Sequence, residues 1–142
     1  MCSAFSERGS VDLTEAPESI VDPTYVREDA RGRFVEVLAD GTWKAVIHGR
    51  MRIGAVLGNH YHRRTRVFFY LIAGKADVQT VQVSDGAGRR FHLNVGQGTY
   101  LEPGWAHAIR FREHSEFILL KSRRYDPAND DTYPYMIDTP ET

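Results

Sequence analysis

The stretch "GNHYHRRTRVFFYLIAG", residues 58–74, decides the fold of this chain. It opens with His60 and His62, continues through a basic turn and ends in an apolar run. In an extended strand, residues two apart point to the same face, so both imidazoles would lie on one side and Tyr61 on the other. Such a pair could bind a transition metal, because imidazole suits these ions, or it could be a packed or surface pair.

Composition excludes several classes of protein. The 142 residues suit one domain, and the net charge of −1 gives no field for a nucleic acid or a membrane surface. No apolar run approaches the roughly 18 residues of a membrane span, and the first twenty residues lack a secretory signal. A single cysteine, Cys2, excludes a disulfide framework and a cysteine-based zinc site. We therefore expect a cytoplasmic protein with a small-molecule partner.

The order of short apolar runs predicts an all-β chain. Residues 1–22 are polar and contain Pro17, which favours a flexible N-terminal arm. Over residues 23–142, runs rich in Val, Ile, Phe and Tyr alternate with Gly, Asp and Asn, which is typical of a single sandwich or barrel domain. "SDGAG" (84–88) predicts a tight hairpin, because Asp-Gly supplies residues that tolerate positive φ.

A third histidine extends the pattern. His107, in "PGWAHAIRF", follows a Pro-Gly turn and enters another strand-like run. The spacing around the three histidines resembles the two motifs of the cupin superfamily. The first motif is Gly54, five residues, His60-x-His62, four residues, Val67, six residues and Gly74; the second is Gly96, five residues, Glu102-x-Gly104, two residues, His107, three residues and Phe111. Cupins usually have Glu at the place of Val67, Pro at that of Glu102 and Asn at that of Phe111.

The resemblance implies a small β-barrel or jelly roll of two packed antiparallel sheets, with His60, His62 and His107 pointing into its mouth. It also implies one divalent transition metal, such as Zn, Fe, Ni or Mn, held by three histidines and a glutamate. Val67 cannot bind an ion, so three alternatives stay open. The histidines alone hold a metal, or a metal-free pocket uses His60 or His62 as acid or base, or the site is vestigial.

A closer resemblance points to sugar-nucleotide cupins. "DARGRFVEVL", "GNHYH" and "NDDTY" resemble dTDP-sugar 3,5-epimerases and 3,4-ketoisomerases, and the C-terminal cupin domain of capsular-polysaccharide enzymes that act on UDP-linked keto-sugars. That resemblance implies proton transfer next to a sugar ketone, by a histidine base or with a metal. Arg31 and Arg64 would then be substrate-binding residues that contact phosphate. Alternatively, each arginine belongs to a tight turn and its guanidinium is solvated.

Other residues favour a different substrate. The sugar enzymes generally have Arg where this chain has Leu57. By parity Phe69 shares the inward face of Val67, and Ile109 and Phe111 share that of the histidine on their own strand. These apolar substrate-binding candidates suit a hydrophobic ligand, unless they only fill the barrel. The alternatives are a polyketide-cyclase-like enzyme or another isomerase or lyase acting on a hydrophobic intermediate, and a non-catalytic small-molecule-binding cupin.

The opposite parity of the apolar run predicts a second surface. Phe68, Tyr70 and Ile72 would face outward from the barrel, and an apolar outward face is usually covered. We therefore expect a homodimer with packed sheets or exchanged strands. Tyr70 is also a candidate substrate-binding residue.

Overall fold

A computed structural model describes residues 13–138, and their regular structure is almost entirely β. A single 3₁₀ turn, Pro17–Ser19, interrupts the strands of this part of the chain. The strands are β1 (Leu13–Glu15), β2 (Tyr25–Asp29), β3 (Gly32–Glu36), β4 (Ala45–Met51), β5 (Val56–Tyr61), β6 (Val67–Ala73), β7 (Ala76–Gln82), β8 (Gly88–Leu93), β9 (Gly98–Leu101), β10 (Trp105–Phe111), β11 (Ser115–Lys121) and β12 (Tyr133–Pro134).

Two sheets pack face to face around one core. One has six strands in the order β1-β8-β7-β10-β5-β12, and the other has four in the order β4-β11-β6-β9. All neighbours within them are antiparallel except β1 and β8, which are parallel. Phe69 of β6, Phe111 of β10 and Phe117 of β11 are buried between the sheets, and the rings of Phe69 and Phe117 stack at 5.0 Å. The predicted all-β fold of two packed antiparallel sheets is confirmed.

Part of the N-terminal segment, from residue 13, packs on the barrel. Residues 13–15 pair with β8, and Val21 forms a bridge with Gly98 of β9. Ala16 is buried in the core and Ile20 packs against it, so apolar contacts hold this part of the segment on the barrel. Residues 1–12 lie outside the described residues. The division of the chain into an arm and one domain from residue 23 stays a prediction.

The hairpin predicted at "SDGAG" joins β7 to β8. Gly86 takes the positive φ of this turn, 76°. Asp85 contributes through its side chain instead, because its Oδ1 accepts a hydrogen bond of 2.9 Å from the Ala87 N–H.

The outer face of β6 is covered in part by the chain itself, since Phe68 is buried while Tyr70 and Ile72 are half-buried. Phe68 is only 1% exposed, and its ring lies 5.0 Å from that of Tyr100, its register partner on β9. Because the chain already covers part of this face, the face supports a dimer less strongly than the alternation of its residues indicates. The exposed aromatic and aliphatic side chains on the separate β2–β3 hairpin are Tyr25, Val26 and Phe34. The homodimer stays a prediction.

A β-bulge in β5 aligns the histidine strands. His107 of β10 pairs with His60, and the next residue pairs with Gly58, so Asn59 is an extra residue in the ladder. Gly58 and Asn59 both have positive φ, 107° and 59°. A Cβ on Gly58 would lie 2.6 Å from the His107 carbonyl oxygen, so only glycine permits this close approach of the two strands.

We expect Gly58→Ala to destabilise the protein more than Gly86→Ala does. Both glycines have positive φ, but a Cβ on Gly86 would have no atom within 4 Å. The difference therefore isolates the collision with the His107 backbone, and we expect it to be about 1–3 kcal/mol in the free energy of unfolding. Urea denaturation of both variants measures it. Equal losses would show that the close approach of β5 and β10 is not a constraint.

Candidate active site: a three-histidine cavity

The three predicted histidines converge in one cavity. Ring centroids lie 4.7 Å apart for His60 and His107, 5.0 Å for His60 and His62, and 5.8 Å for His62 and His107. One nitrogen from each ring can be chosen so that all three lie within 4.8 Å of one another. They share a cavity of about 200 Å³ between the two sheets. The structure thus brings the three rings together, while their roles as ligands or bases stay predictions.

Burial keeps two of these imidazoles uncharged. Burial first, then the neighbouring His62 and Lys121, lower the pKa of His60 from 6.5 to about 4. Burial, followed by repulsion from His60 and His62, lowers the pKa of His107 to about 3. At neutral pH both rings therefore carry a free lone pair, which a metal ion or a proton could use.

The tautomer of His62 is set by a backbone group. Its Nδ1 lies 2.9 Å from the carbonyl oxygen of Asp131, in the C-terminal segment. A carbonyl only accepts, so Nδ1 carries the hydrogen and Nε2 keeps the lone pair. The imidazole of His107 comes from the neighbouring strand, β10. Its Nδ1 is buried and has no hydrogen-bond partner at ordinary distance and angle among the described residues.

The Asp131 carboxylate closes the basic turn that follows His62. It accepts hydrogen bonds from the backbone N–H groups of Arg63, Arg64 and Thr65, at 2.8–3.0 Å, and from the Thr65 hydroxyl. Burial alone would raise its pKa, but these hydrogen bonds outweigh burial and lower it from 3.8 to about 2. The tail motif "NDDTY" therefore holds the histidine turn in place.

Asn59, the extra residue of the bulge, binds the end of the described chain. Its side-chain oxygen accepts from the N–H groups of Ile137 and Asp138, and its Nδ2 donates to the Asp138 carbonyl at 2.7 Å. A salt bridge between Arg110 and Asp138, at 2.9 Å, fixes the same segment. The tail is thus tied to β5 on both sides of the histidine pair.

The predicted arginines lie outside the cavity. Arg31 is exposed at the tip of the β2–β3 hairpin, where it forms a salt bridge of 2.8 Å with Asp29. Arg64 lies in the basic turn with Nε 4.0 Å from the Asp131 carboxylate, and it does not line the cavity. Both arginines lie in turns and pair with aspartates, and their role in substrate binding stays a prediction. A phosphate contact would have to come from a ligand that reaches beyond the cavity.

The predicted apolar candidates divide into two groups. Ile109 lines the cavity, together with Val67 at the place of the usual glutamate. Phe69 and Phe111 also face inward but are fully buried in the core away from the cavity, so they fill the barrel and do not line it. Tyr70 lies on the other face of β6 and does not line the cavity either.

Sequence reasoning missed one charged residue of the site, Lys121. On β11, Phe117, Leu119 and Lys121 alternate toward the cavity and all three line it. The signal was present in "EFILLKS", where a lysine follows two apolar residues at the inward parity. Thr132, from the tail, adds a hydroxyl to the lining.

The donor set fits a divalent transition metal in number and type. Three neutral imidazoles can bind one face of such an ion and leave positions open for water or substrate. The charge of the cavity is less favourable, because no carboxylate is among its lining residues and Lys121 is. A metal here therefore stays a prediction.

Comparison of the chain with known protein families identifies the family to which it belongs. Residues 27–133 match the model of the polysaccharide biosynthesis C-terminal domain family. The chain belongs to that family. The matched region contains both histidine motifs and the segment around Asp131, whose carbonyl is hydrogen-bonded to His62. No curated protein sequence matches the chain.

Solved structures confirm the cupin fold. The capsular polysaccharide assembling protein CapF of Staphylococcus aureus is 22% identical with a TM-score of 0.62, and the match covers 80% of this chain and 32% of CapF. A structure of CapF with the inhibitor 3-isopropenyl-tropolone matches equally well. The rmlC epimerase of Mycobacterium tuberculosis is 21% identical with a TM-score of 0.67, covering 78% of this chain and 65% of that chain.

A third structural relative is ChmJ, a 3'-monoepimerase of Streptomyces bikiniensis solved with dTDP-quinovose. It is 19% identical with a TM-score of 0.70, and the match covers 81% of this chain and 67% of ChmJ. The chain spans about a third of the length of CapF. Within the described residues, no helix is long and apolar enough to cross a membrane.

We expect Asp131→Asn to lower the free energy of unfolding by about 2–3 kcal/mol at pH 7, because the hydrogen bonds that its carboxylate accepts are charge-assisted. Asp130→Asn is the matched control, since no side-chain hydrogen bond or ion pair is formed by that exposed neighbour among the described residues. The pKa of Asp131 is lowered in the folded state, so the advantage of the wild type should be complete above about pH 4 and disappear toward pH 2. Urea titrations at several pH values measure this, and equal effects of the two substitutions would contradict the proposed role.

Proposed function

We propose that this cupin moves a proton at the carbon next to the ketone of a nucleotide-linked sugar, as an epimerase or isomerase. The observation that carries the proposal is the convergence of three imidazoles, two of them held neutral by burial, in one cavity. The family match supports a role in polysaccharide biosynthesis, and the epimerase names of the structural relatives support the reaction type.

His62 is the best placed base. Its Nε2 has a free lone pair because Nδ1 donates to the Asp131 carbonyl, and that same hydrogen bond stabilises the positive charge that forms when Nε2 takes a proton. His60, beside it, remains neutral and can position the substrate. The cavity of about 200 Å³ is smaller than typical small-molecule pockets. We therefore expect the sugar ring to occupy it and the nucleotide to lie outside.

Deuterium exchange tests the reaction without requiring a known product. The chain is incubated in D₂O with dTDP- and UDP-linked 4-keto-6-deoxy sugars, and deuterium next to the ketone is followed by NMR. We expect incorporation that falls by about 10²–10⁴ in His62→Gln, the range of one general base. His92→Gln is the control, because that histidine is exposed and pairs with Asp77 away from the cavity. The proposal would be contradicted if no keto-sugar incorporated deuterium, or if His62→Gln and His92→Gln gave equal rates of incorporation.

The apolar lining favours a second candidate function. Leu57 lines the cavity at the position where the sugar enzymes generally have arginine, and Val67 and Ile109 add to the apolar surface. A polyketide-cyclase-like or other isomerase or lyase cupin would use such a cavity for a hydrophobic intermediate. Binding of planar hydrophobic compounds together with indifference to nucleotide diphosphates would favour it. Affinity without turnover, unchanged in His62→Gln, would instead indicate a small-molecule-binding protein.

A further inference from the structure

Lys121 is the only charged side chain among the described residues that line the histidine cavity. It is half-buried at the mouth-side end of β11, and it also borders the cleft formed by residues 123–132. Within residues 13–138 its ammonium forms no ion pair and no hydrogen bond. An unpaired cation that borders an apolar cavity is costly unless something pairs with it there.

The position of Lys121 is specific. It is the register partner of Val67 across the β6–β11 ladder, and both side chains line the cavity. The cupin motif usually has a glutamate at the place of Val67, and directly opposite side chains in a ladder are close enough to interact. Such a glutamate would pair with Lys121 or with a metal. With valine there, Lys121 has no acidic partner among the described residues that line the cavity, so the cavity carries one positive charge.

This positive charge favours an anionic ligand, whereas three neutral histidines alone would favour a metal cation. A dication at the three nitrogens would be repelled by the ammonium, with no carboxylate to offset it. An oxygen that is negative, or becomes negative, would be attracted by the same ammonium and could accept a hydrogen bond from it. The neutral imidazoles of His60 and His107 would not oppose an anion.

We propose that Lys121 binds the oxyanion of the substrate, in the role that a metal would otherwise have. The catalytic part of this inference rests on the proposed proton transfer. When His62 takes the proton from the carbon next to the ketone, the C–H electron pair becomes a C=C bond and the C=O π pair moves onto oxygen. The Lys121 ammonium donates a hydrogen bond to this enolate oxygen. Return of the proton to carbon restores the ketone and releases the lysine.

A binding experiment tests the oxyanion site without turnover. The probe is 3-isopropenyl-tropolone, whose ring ketone and adjacent hydroxyl give a delocalised anion when the hydroxyl is ionised. Chelator-treated protein is titrated with it by calorimetry at pH 8. We expect Lys121→Met to weaken binding by about tenfold or more, the effect of one charge-assisted hydrogen bond. Lys121→Arg keeps the charge and should stay within about threefold of the wild type.

Lys75→Met is the matched control, because Lys75 lies outside the cavity and pairs with Glu113. It should bind the probe as the wild type does, and thermal melts verify that each variant is folded. Equal binding by wild type and Lys121→Met would overturn the proposal. Absence of binding by the wild type at millimolar probe, or binding that requires added zinc, would overturn it too.

Zinc affinity separates this inference from the proposed function. Removing the ammonium should strengthen zinc binding to the three histidines by about tenfold in Lys121→Met, through relief of repulsion, whatever the substrate is. A purely structural lysine would not give that gain, and unchanged or weaker zinc binding would contradict the inference. If the probe and zinc results hold while no keto-sugar exchanges deuterium, the oxyanion site stands and only the proposed reaction fails.

Discussion

The pairing of β5 with β10 across the bulge at Gly58 and Asn59 is the constraint on which the site depends. It sets His60 directly opposite His107, and it requires a glycine because the His107 carbonyl approaches the Gly58 backbone so closely. It also removes Asn59 from the ladder, which frees that side chain to bind the tail. One irregularity in a strand thus determines both the meeting of the histidines and the course of the C-terminal segment.

The tail acts on the site through the backbone as well as through side chains. Asp131 holds the basic turn with its carboxylate and fixes the tautomer of His62 with its carbonyl. Because Asn59 and Arg110 tie down the chain a few residues further on, this carbonyl has little freedom to move. The free Nε2 of His62 is therefore a consequence of hydrogen bonds spanning about half the chain.

Some of this was predictable from the sequence, and the reasons are physical. The two-residue period of a strand put His60 and His62 on one face, and the motif spacing brought in His107. The same period puts Phe69 and Phe111 on the inward face but does not give their depth along the barrel. Their depth places them in the core and not at the cavity. The hydrogen bonds of Asp131 and Asn59 join residues about 70 to 80 positions apart, and no local pattern predicts them. The edge strand Leu13–Glu15 has only three residues and leaves almost no periodic signal, so the sequence pattern does not predict it.

The cavity holds two neutral imidazoles, those of His60 and His107, beside the Lys121 ammonium, which is unpaired among the described residues. Nitrogen NMR of histidine-labelled, chelator-treated protein measures the state of these rings most directly, since the ring nitrogens report protonation and tautomer at each residue. We expect His60 and His107 to remain neutral down to about pH 5, in line with pKa values of about 4 and 3, and the hydrogen of neutral His62 to be on Nδ1. Titration of both His60 and His107 near pH 6.5, as in an open chain, would contradict it.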